Sequence, residues 1–339
     1  MIINLANKYR PSTWDDVCEQ SIVTKMLRNI CESDIINNRN FLLIGSQGVG
    51  KTSIARVMAH SLNGNTVEPI EVDGASNNGI DSIRELIQQA HQYPVGCNWK
   101  VIVVDECHAL TSNSWQALLR TLEENPAKTI WIFCTTNPEK IPDTILSRLQ
   151  VFHLSKISLN GIFNRLKYVL DSEIAEGRDI KYSDDALLYI AKLAKGGMRD
   201  ALTLTDKVLS FSENIDINAV ELALNLPDFD TYFALLSAYA KKDNDKIIQI
   251  IEKAYNSGLN FVTWLEKFHS FIVDVLKYIF TKDIQLTLIP PQYESKLSKY
   301  ETAHANICLQ LAGILLSCIR DIRTTDYQTE IAYTYLCRR

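Results

Sequence analysis

Gly45-Ser46-Gln47-Gly48-Val49-Gly50-Lys51-Thr52-Ser53 follows the apolar run "FLLI" and leads into a segment with helical spacing. A strand, a glycine-rich turn and a helix start form the context in which the pattern GxxxxGK[ST] holds phosphate. Gly45, Gly48 and Gly50 let backbone N–H groups turn inward around phosphate oxygens. Lys51 then reaches the β and γ phosphates, and Thr52 offers a hydroxyl to magnesium. A chance glycine turn before a helix is the bland alternative, and it has to ignore both flanks. About fifty residues later "VIVVDECHAL" ends an apolar run in two adjacent carboxylates. Carboxylates at the end of a buried strand are costly unless a cation or a reaction uses them. Asp105 is suited to hold magnesium through water, and Glu106 to orient the water that attacks the γ phosphate.

Three further positions are ambiguous from the residues alone. "TIWIFCTTNP" ends in Thr135, Thr136 and Asn137, small polar residues that an adjacent strand would set beside the γ phosphate. Thr136 is the candidate sensor there, although such residues are common in turns. "KGGMRDALTLTDK" puts Arg199 in the first turn of a helix, where the helix dipole disfavours a cation. An anion opposite would explain it, and so would pairing with Asp200 or Asp206. In "DTILSRLQVF", Arg148 is either a solvated charge beside a strand or a group aimed at something.

Certain elements must position these residues. "FLLI", "VIVVD", "TIWIFCTT" (129–136) and "VFHL" (151–154), interleaved with helical segments, predict an α/β domain with a parallel sheet over residues 1–157. Helices are predicted over 161–176, 184–195, 198–211 and 217–225, the last opened by Asp216 as N-cap, giving a small helical lid over 158–226. Amphipathic segments at 230–241, 244–257, 260–280, 295–322 and 327–337 predict an all-helical third domain over 227–339, with "NLPD" at 225–228 as linker. A chain of 339 residues with 46% hydrophobic content can fill several cores. Its formal charge of −5 means that any nucleic-acid contact must come from a local basic face. Eight cysteines stand singly with no zinc spacing, and neither a leader nor an uninterrupted apolar run of membrane length is evident, so a reduced cytoplasmic protein without bound zinc is expected.

"KYRPSTWDDVCEQ" (8–20), "GSQGVGKTSIAR" (45–56), "EVDGASNNGIDSIRELI" (71–87), "KVIVVDECHALTSNSWQALLRTLEENP" (100–126), "CTTNPEKIPDTILSR" (134–148) and "GGMRDALTLTDK" (196–207) occur in one order. That order resembles AAA+ ATPases of the clamp-loader branch, the tau/gamma family of bacterial DNA polymerase III in particular. The resemblance runs from residue 8 to about 210; the last 110 residues match only in being helical and of suitable length. It implies a P-loop domain with a helical lid and an all-α collar. It also implies ATP with Mg2+, and as partners other clamp-loader subunits in a ring, expected to be a pentamer, together with a sliding clamp and primer-template DNA.

By the same resemblance Tyr9, Arg10, Pro11 and Val17 border the adenine, Gly45 through Ser53 hold the phosphates, Arg199 reaches its own chain's ATP, and Arg148 is the finger that reaches a neighbour's. Backbone-tracking DNA contacts are expected from Arg84, Asn113 and Arg120, each of which could equally sit on a solvated face. The chain departs from the family pattern in running directly "SLNGNTVEPIEVDGAS" where a zinc module is usual, and in reading Ser147-Arg148-Leu149 where Ser-Arg-Cys is usual. The polymerase- and helicase-binding extension of the longer family form is expected to be absent, and compact size with the missing zinc module would suit a bacteriophage or mobile-element version. Competing readings are a subunit that binds ATP without hydrolysing it and, from the "DECH" string, a helicase-type motor.

Overall fold

The computed structural model describes residues 4–337 apart from 34, 35, 37, 65, 66, 125, 127, 227 and 257–259. The chain divides into two compact units, Met1–Ile180 with Ile190–Glu213, and Lys181–Tyr189 with Asn214–Arg339. Pro227, within the predicted linker, lies outside the described residues.

The first unit begins with α1 (Leu5–Lys8) and α2 (Ser21–Cys31). Then come β1 (Asn40–Ile44), α3 (Lys51–Asn63), β2 (Ile70–Asp73), α4 (Ile80–His91), β3 (Lys100–Asp105) and α5 (Ser112–Glu124). β4 (Thr129–Thr135), α6 (Asp143–Leu146), β5 (Gln150–His153) and α7 (Leu159–Ala175) come next. The sheet is parallel throughout, in the order β2-β3-β4-β1-β5. Alternation along the strands sends Phe41, Leu43, Val101, Val103, Ile130 and Ile132 into one core, with α2 and α3. It sends Leu42, Ile102, Val104, Trp131 and Phe133 into the other, with α4 and α5. Both faces are therefore covered, which is why these strands read as apolar runs. In an open α/β sheet the ligand crevice lies at the carboxyl ends of the strands. Here those ends are Ile44, Asp105 and Thr135, with Ile44 in register with Thr135.

Ser158 caps α7 by accepting from the Gly161 N–H at 3.0 Å. Helix α8 (Asp184–Leu193) crosses the division between the units, and α9 (Met198–Phe211) returns to the first, with Gly197 at its N-cap.

In the second unit a two-residue parallel pair, β6 (Lys181–Tyr182) with β7 (Asn214–Ile215), precedes α10 (Ile217–Ala223). Asp216 caps α10 as expected, accepting from Ala219 N–H at 2.7 Å. The remainder is helical: α11 (Phe229–Lys241), α12 (Asn244–Asn256), α13 (Phe261–Thr281), α14 (Glu294–Leu297), α15 (Ala305–Ile322) and α16 (Gln328–Leu336). The single helix expected over 295–322 is instead two, broken between Leu297 and Ala305. Those two residues are buried, but no position in the mostly polar run between them is, so no continuous buried face carries a helix onward. Tyr300 turns onto Phe233 instead, with ring centroids 6.1 Å apart. Among the described residues one stretch, Thr302–Ile322, is long and apolar enough to cross a membrane by length and composition alone. It packs against α13 and buries Cys308, Leu311, Leu315, Cys318 and Ile322.

Candidate functional site

The loop after β1 is tied to β4 by Gly45 N–H donating to Thr135 O at 3.2 Å. Gly48 and Gly50 then take φ of +75° and +106°, values that favour glycine. Helix α3 starts at Lys51, which is 6% exposed, and its Nζ donates to Gly45 O at 2.9 Å and Ser46 O at 3.1 Å. Thr52 Oγ1 donates to Asp105 Oδ2 at 2.6 Å, so the two residues expected to face magnesium meet across fifty-three positions of sequence. The other oxygen of Asp105 accepts from Glu106 N–H at 2.9 Å.

Glu106 is left-handed, with φ 46° and ψ 39°. Its carboxylate meets Thr136 Oγ1 at 3.4 Å and His108 Nδ1 at 3.3 Å. His108 Nδ1 also lies 3.1 Å from Thr135 Oγ1, so the candidate sensor strand and the candidate catalytic carboxylate share one network. Thr136, the candidate sensor, thus lies next to the candidate catalytic carboxylate.

A pocket opens beside this loop. Tyr9, Arg10, Pro11, Val17, residues 47–53, Asp105, Glu106 and Arg199 all line it. Gly45 and Ser46 act one step back, through the carbonyls that hold Lys51. Its lining adds residues the sequence did not single out: Arg165 from α7, Ile157, Met198 and Leu202. Met198 and Leu202 lie in the "GGMRDALTLTDK" string but are apolar positions of a helix, Ile157 sits in no motif, and Arg165 is one charge on an amphipathic helix. Arg199 projects from the first turn of α9, whose Met198 and Arg199 N–H groups donate to Gly48 O at 2.9 and 3.4 Å. Among the described residues it pairs with neither Asp200 nor Asp206; the latter accepts from Leu5 N–H at 2.9 Å.

Four cations, Arg10, Lys51, Arg165 and Arg199, therefore border one pocket, and among the described residues none forms an ion pair. Burial, followed by the neighbouring Arg56 guanidinium, lowers the pKa of Arg10 from its ordinary value. Four cations without an ion pair among the described residues, set against positive-φ glycines, suit a polyanion. The oxygen donors Thr52 and Asp105 beside it are of the kind that hard divalent cations take.

The remaining expected residues lie elsewhere. Arg148 follows α6 outside this pocket; its Nε donates to Glu123 Oε1 at 2.9 Å and its Nη1 to Thr144 O at 2.5 Å and Ser147 Oγ at 3.1 Å. Arg84 on α4 pairs with Asp81 at 3.3 Å, Arg120 on α5 with Glu124 at 2.6 Å, and Asn113 is exposed at the start of α5.

Residues 67–158 match the family model described as DNA polymerase III, delta subunit, and residues 161–214 that of the DNA polymerase III clamp loader subunit, ATPase lid domain. The chain is 34% identical over 302 residues to DNA polymerase III subunit gamma/tau of Mycoplasma genitalium, covering 82% of this chain and 50% of the relative. It is 37% identical over 237 residues to subunit tau of Bacillus subtilis, covering 64% and 41%. It is 33% identical over 298 residues to subunit gamma of Buchnera aphidicola subsp. Acyrthosiphon pisum, covering 81% and 79%. The chain thus spans about half the length of the first of these relatives. Among solved structures, the Thermotoga maritima RuvB Holliday junction branch migration motor matches with a TM-score of 0.53 at 20% identity, covering 68% of this chain and 78% of that one, a likeness of fold. With a relative matched over four-fifths of both lengths and a clamp-loader lid in sequence, the chain belongs to the DNA polymerase III gamma/tau family.

Proposed function

We propose that the chain is the ATPase subunit of a DNA sliding-clamp loader, using ATP binding and hydrolysis to open a clamp and load it on primer-template DNA. The observation that carries this is the group of four cations around a glycine loop, unpaired among the described residues, with Thr52, Asp105 and Glu106 at one end of the pocket. Lys51 would neutralise the β and γ phosphates, Arg199 would contact the same nucleotide, and Glu106, steadied by Thr136 and His108, would orient the attacking water. Thr52 and Asp105 would hold Mg2+, which supplies charge neutralisation when bound. Tyr9, Arg10, Pro11 and Val17 would border the base.

Arg148, outside its own chain's pocket, would serve the pocket of a neighbour in a ring of clamp-loader subunits, five in our reading, in the cytoplasm. Arg84, Asn113 and Arg120 would track the DNA backbone. A division into a nucleotide-binding domain at 1–157, a lid at 158–226 and a collar at 227–339 fits this role, and the lid match over 161–214 supports its middle part.

Steady-state phosphate release tests the proposal. It should require Mg2+ and rise when candidate partner subunits, clamp and primed DNA are supplied together. ATP binding without turnover under all these conditions would leave a non-hydrolysing subunit, and strand unwinding without clamp loading would leave a helicase-type motor.

A further inference from the structure

The segment that borders the base has little structure of its own. Helix α1 has four residues, too few to hold itself in water, so contacts with the rest of the unit must fix the residues after it. Two of these contacts anchor the front: Leu5 is fully buried, and its N–H donates to Asp206. Lys8 and Tyr9 are held by one carboxylate. Glu173, on α7 with its side chain 0% exposed, accepts at Oε1 from Lys8 Nζ at 2.6 Å and Tyr9 Oη at 2.7 Å, and at Oε2 from Arg178 Nη1 at 3.1 Å.

Burial raises the Glu173 carboxyl, and the hydrogen bonds from Lys8, Tyr9 and Arg178 outweigh it, leaving its pKa below the ordinary value. The same burial, with Glu173 beside it, pushes the Tyr9 phenol up to about 12. A fully buried carboxylate survives only when its charge is matched, and this one is matched from both sides. Tyr9 lines the pocket while its hydroxyl is fixed on Glu173. Arg10 and Pro11, the next two lining residues, take their course from it, since among the described residues the Arg10 side chain has no anchor. Arg165, two turns earlier on α7, reaches Tyr9 O at 3.5 Å and lines the pocket itself.

We propose that Glu173 is a positioning residue for the nucleotide: by fixing Lys8 and Tyr9 it holds Tyr9, Arg10 and Pro11 as the wall that takes the base, leaving the phosphates to the glycine loop. This rests on the reading of the pocket as an ATP site. It separates the two ends of the ligand, because Glu173 should matter for the base and not for the phosphates.

The test uses the full chain and two probes, Mg·ATP and Mg·tripolyphosphate, with wild type, Glu173→Gln, Tyr9→Phe and Lys51→Ala. Losing a charge-assisted hydrogen bond to a wall residue should weaken ATP binding roughly tenfold in Glu173→Gln while tripolyphosphate binding stays within about twofold. Tyr9→Phe keeps the ring and removes only the hydroxyl, so it should shift the same ratio in the same direction even if Glu173→Gln folds poorly, and Lys51→Ala should lose both probes. Unchanged ATP affinity in folded Glu173→Gln and in Tyr9→Phe, or equal losses of the two probes, would overturn the proposal while leaving the site reading intact. A wild type that does not prefer ATP to tripolyphosphate would overturn both.

Discussion

Gly48→Ala would strike the point where the phosphate loop and α9 meet. Gly48 has φ +75°, and an L residue there costs about 1–2 kcal/mol relative to glycine. For a unit of this size, roughly 2–4 °C of melting temperature accompanies each kcal/mol, so the variant should melt about 2–8 °C lower. The added Cβ would also stand 3.2 Å from Gly197 Cα and 3.3 Å from Asp200 Oδ2, tight enough that the first turn of α9 must give by a few tenths of an ångström. That turn carries Arg199 and is fastened by the Gly48 carbonyl. Displacing a guanidinium from a phosphate forfeits about 1.5–3 kcal/mol, so ATP affinity should fall roughly ten- to a hundredfold. Calorimetric titration of wild type, Gly48→Ala, Arg199→Ala and the double variant closes a cycle. If Gly48 acts through α9, adding Arg199→Ala to Gly48→Ala should cost little more. Fully additive losses, or a Gly48→Ala protein that melts and binds like wild type, would refute the coupling.

Glu106→Gln should keep ATP binding and lose turnover in single-turnover phosphate release, because the Thr52–Asp105 contact and Lys51 survive the change; unaltered turnover would remove Glu106 from the reaction. Arg148→Ala should leave binding by its own chain nearly intact yet abolish hydrolysis in assemblies, a loss of roughly a thousandfold, and mixing it with Lys51→Ala subunits should restore part of the activity. A mixture that assembles and stays inactive would return Arg148 to its surface pairing with Glu123. In the second unit, burial and then the nearby Asp228 and Asp230 raise Glu221 to about 7, and its Oε1 is buried without a partner among the described residues. Its folded pKa lies above its ordinary value, so the stability it contributes is fully present below about 4.5 and is lost as pH rises through about 7. Glu221→Gln should therefore melt above wild type at pH 8 and close to it near pH 4.5, and a gap that does not close between these pH values would contradict this.

The phosphate loop and the Asp105-Glu106 pair were legible because each is a contiguous string next to a strand buried on both faces. Strand β2 was not, since its residues alternate between half-buried and exposed at the sheet edge and carry no apolar run. The break before α15 was hidden because nothing between Leu297 and Ala305 is a glycine or proline; only the loss of buried positions marks it. For Arg199, the sequence left ion pairing with Asp200 or Asp206 open, and among the described residues the fold forms neither pair, with Asp206 turned instead to the Leu5 N–H. Arg165 and Glu173 lie more than 150 residues from the segment they hold, and a helix with charges on one side looks the same whether those charges meet water or a distant chain segment.

Every role assigned to these residues depends on the pocket being an ATP site, and the most direct measurement is calorimetric titration of the purified chain with Mg·ATP beside its Lys51→Ala variant. Saturable binding at one site per chain, lost when Lys51 is removed while the melting curve of the variant stays cooperative, is the predicted result. Absence of binding by the wild-type chain, or binding of equal strength by the folded variant, would contradict it.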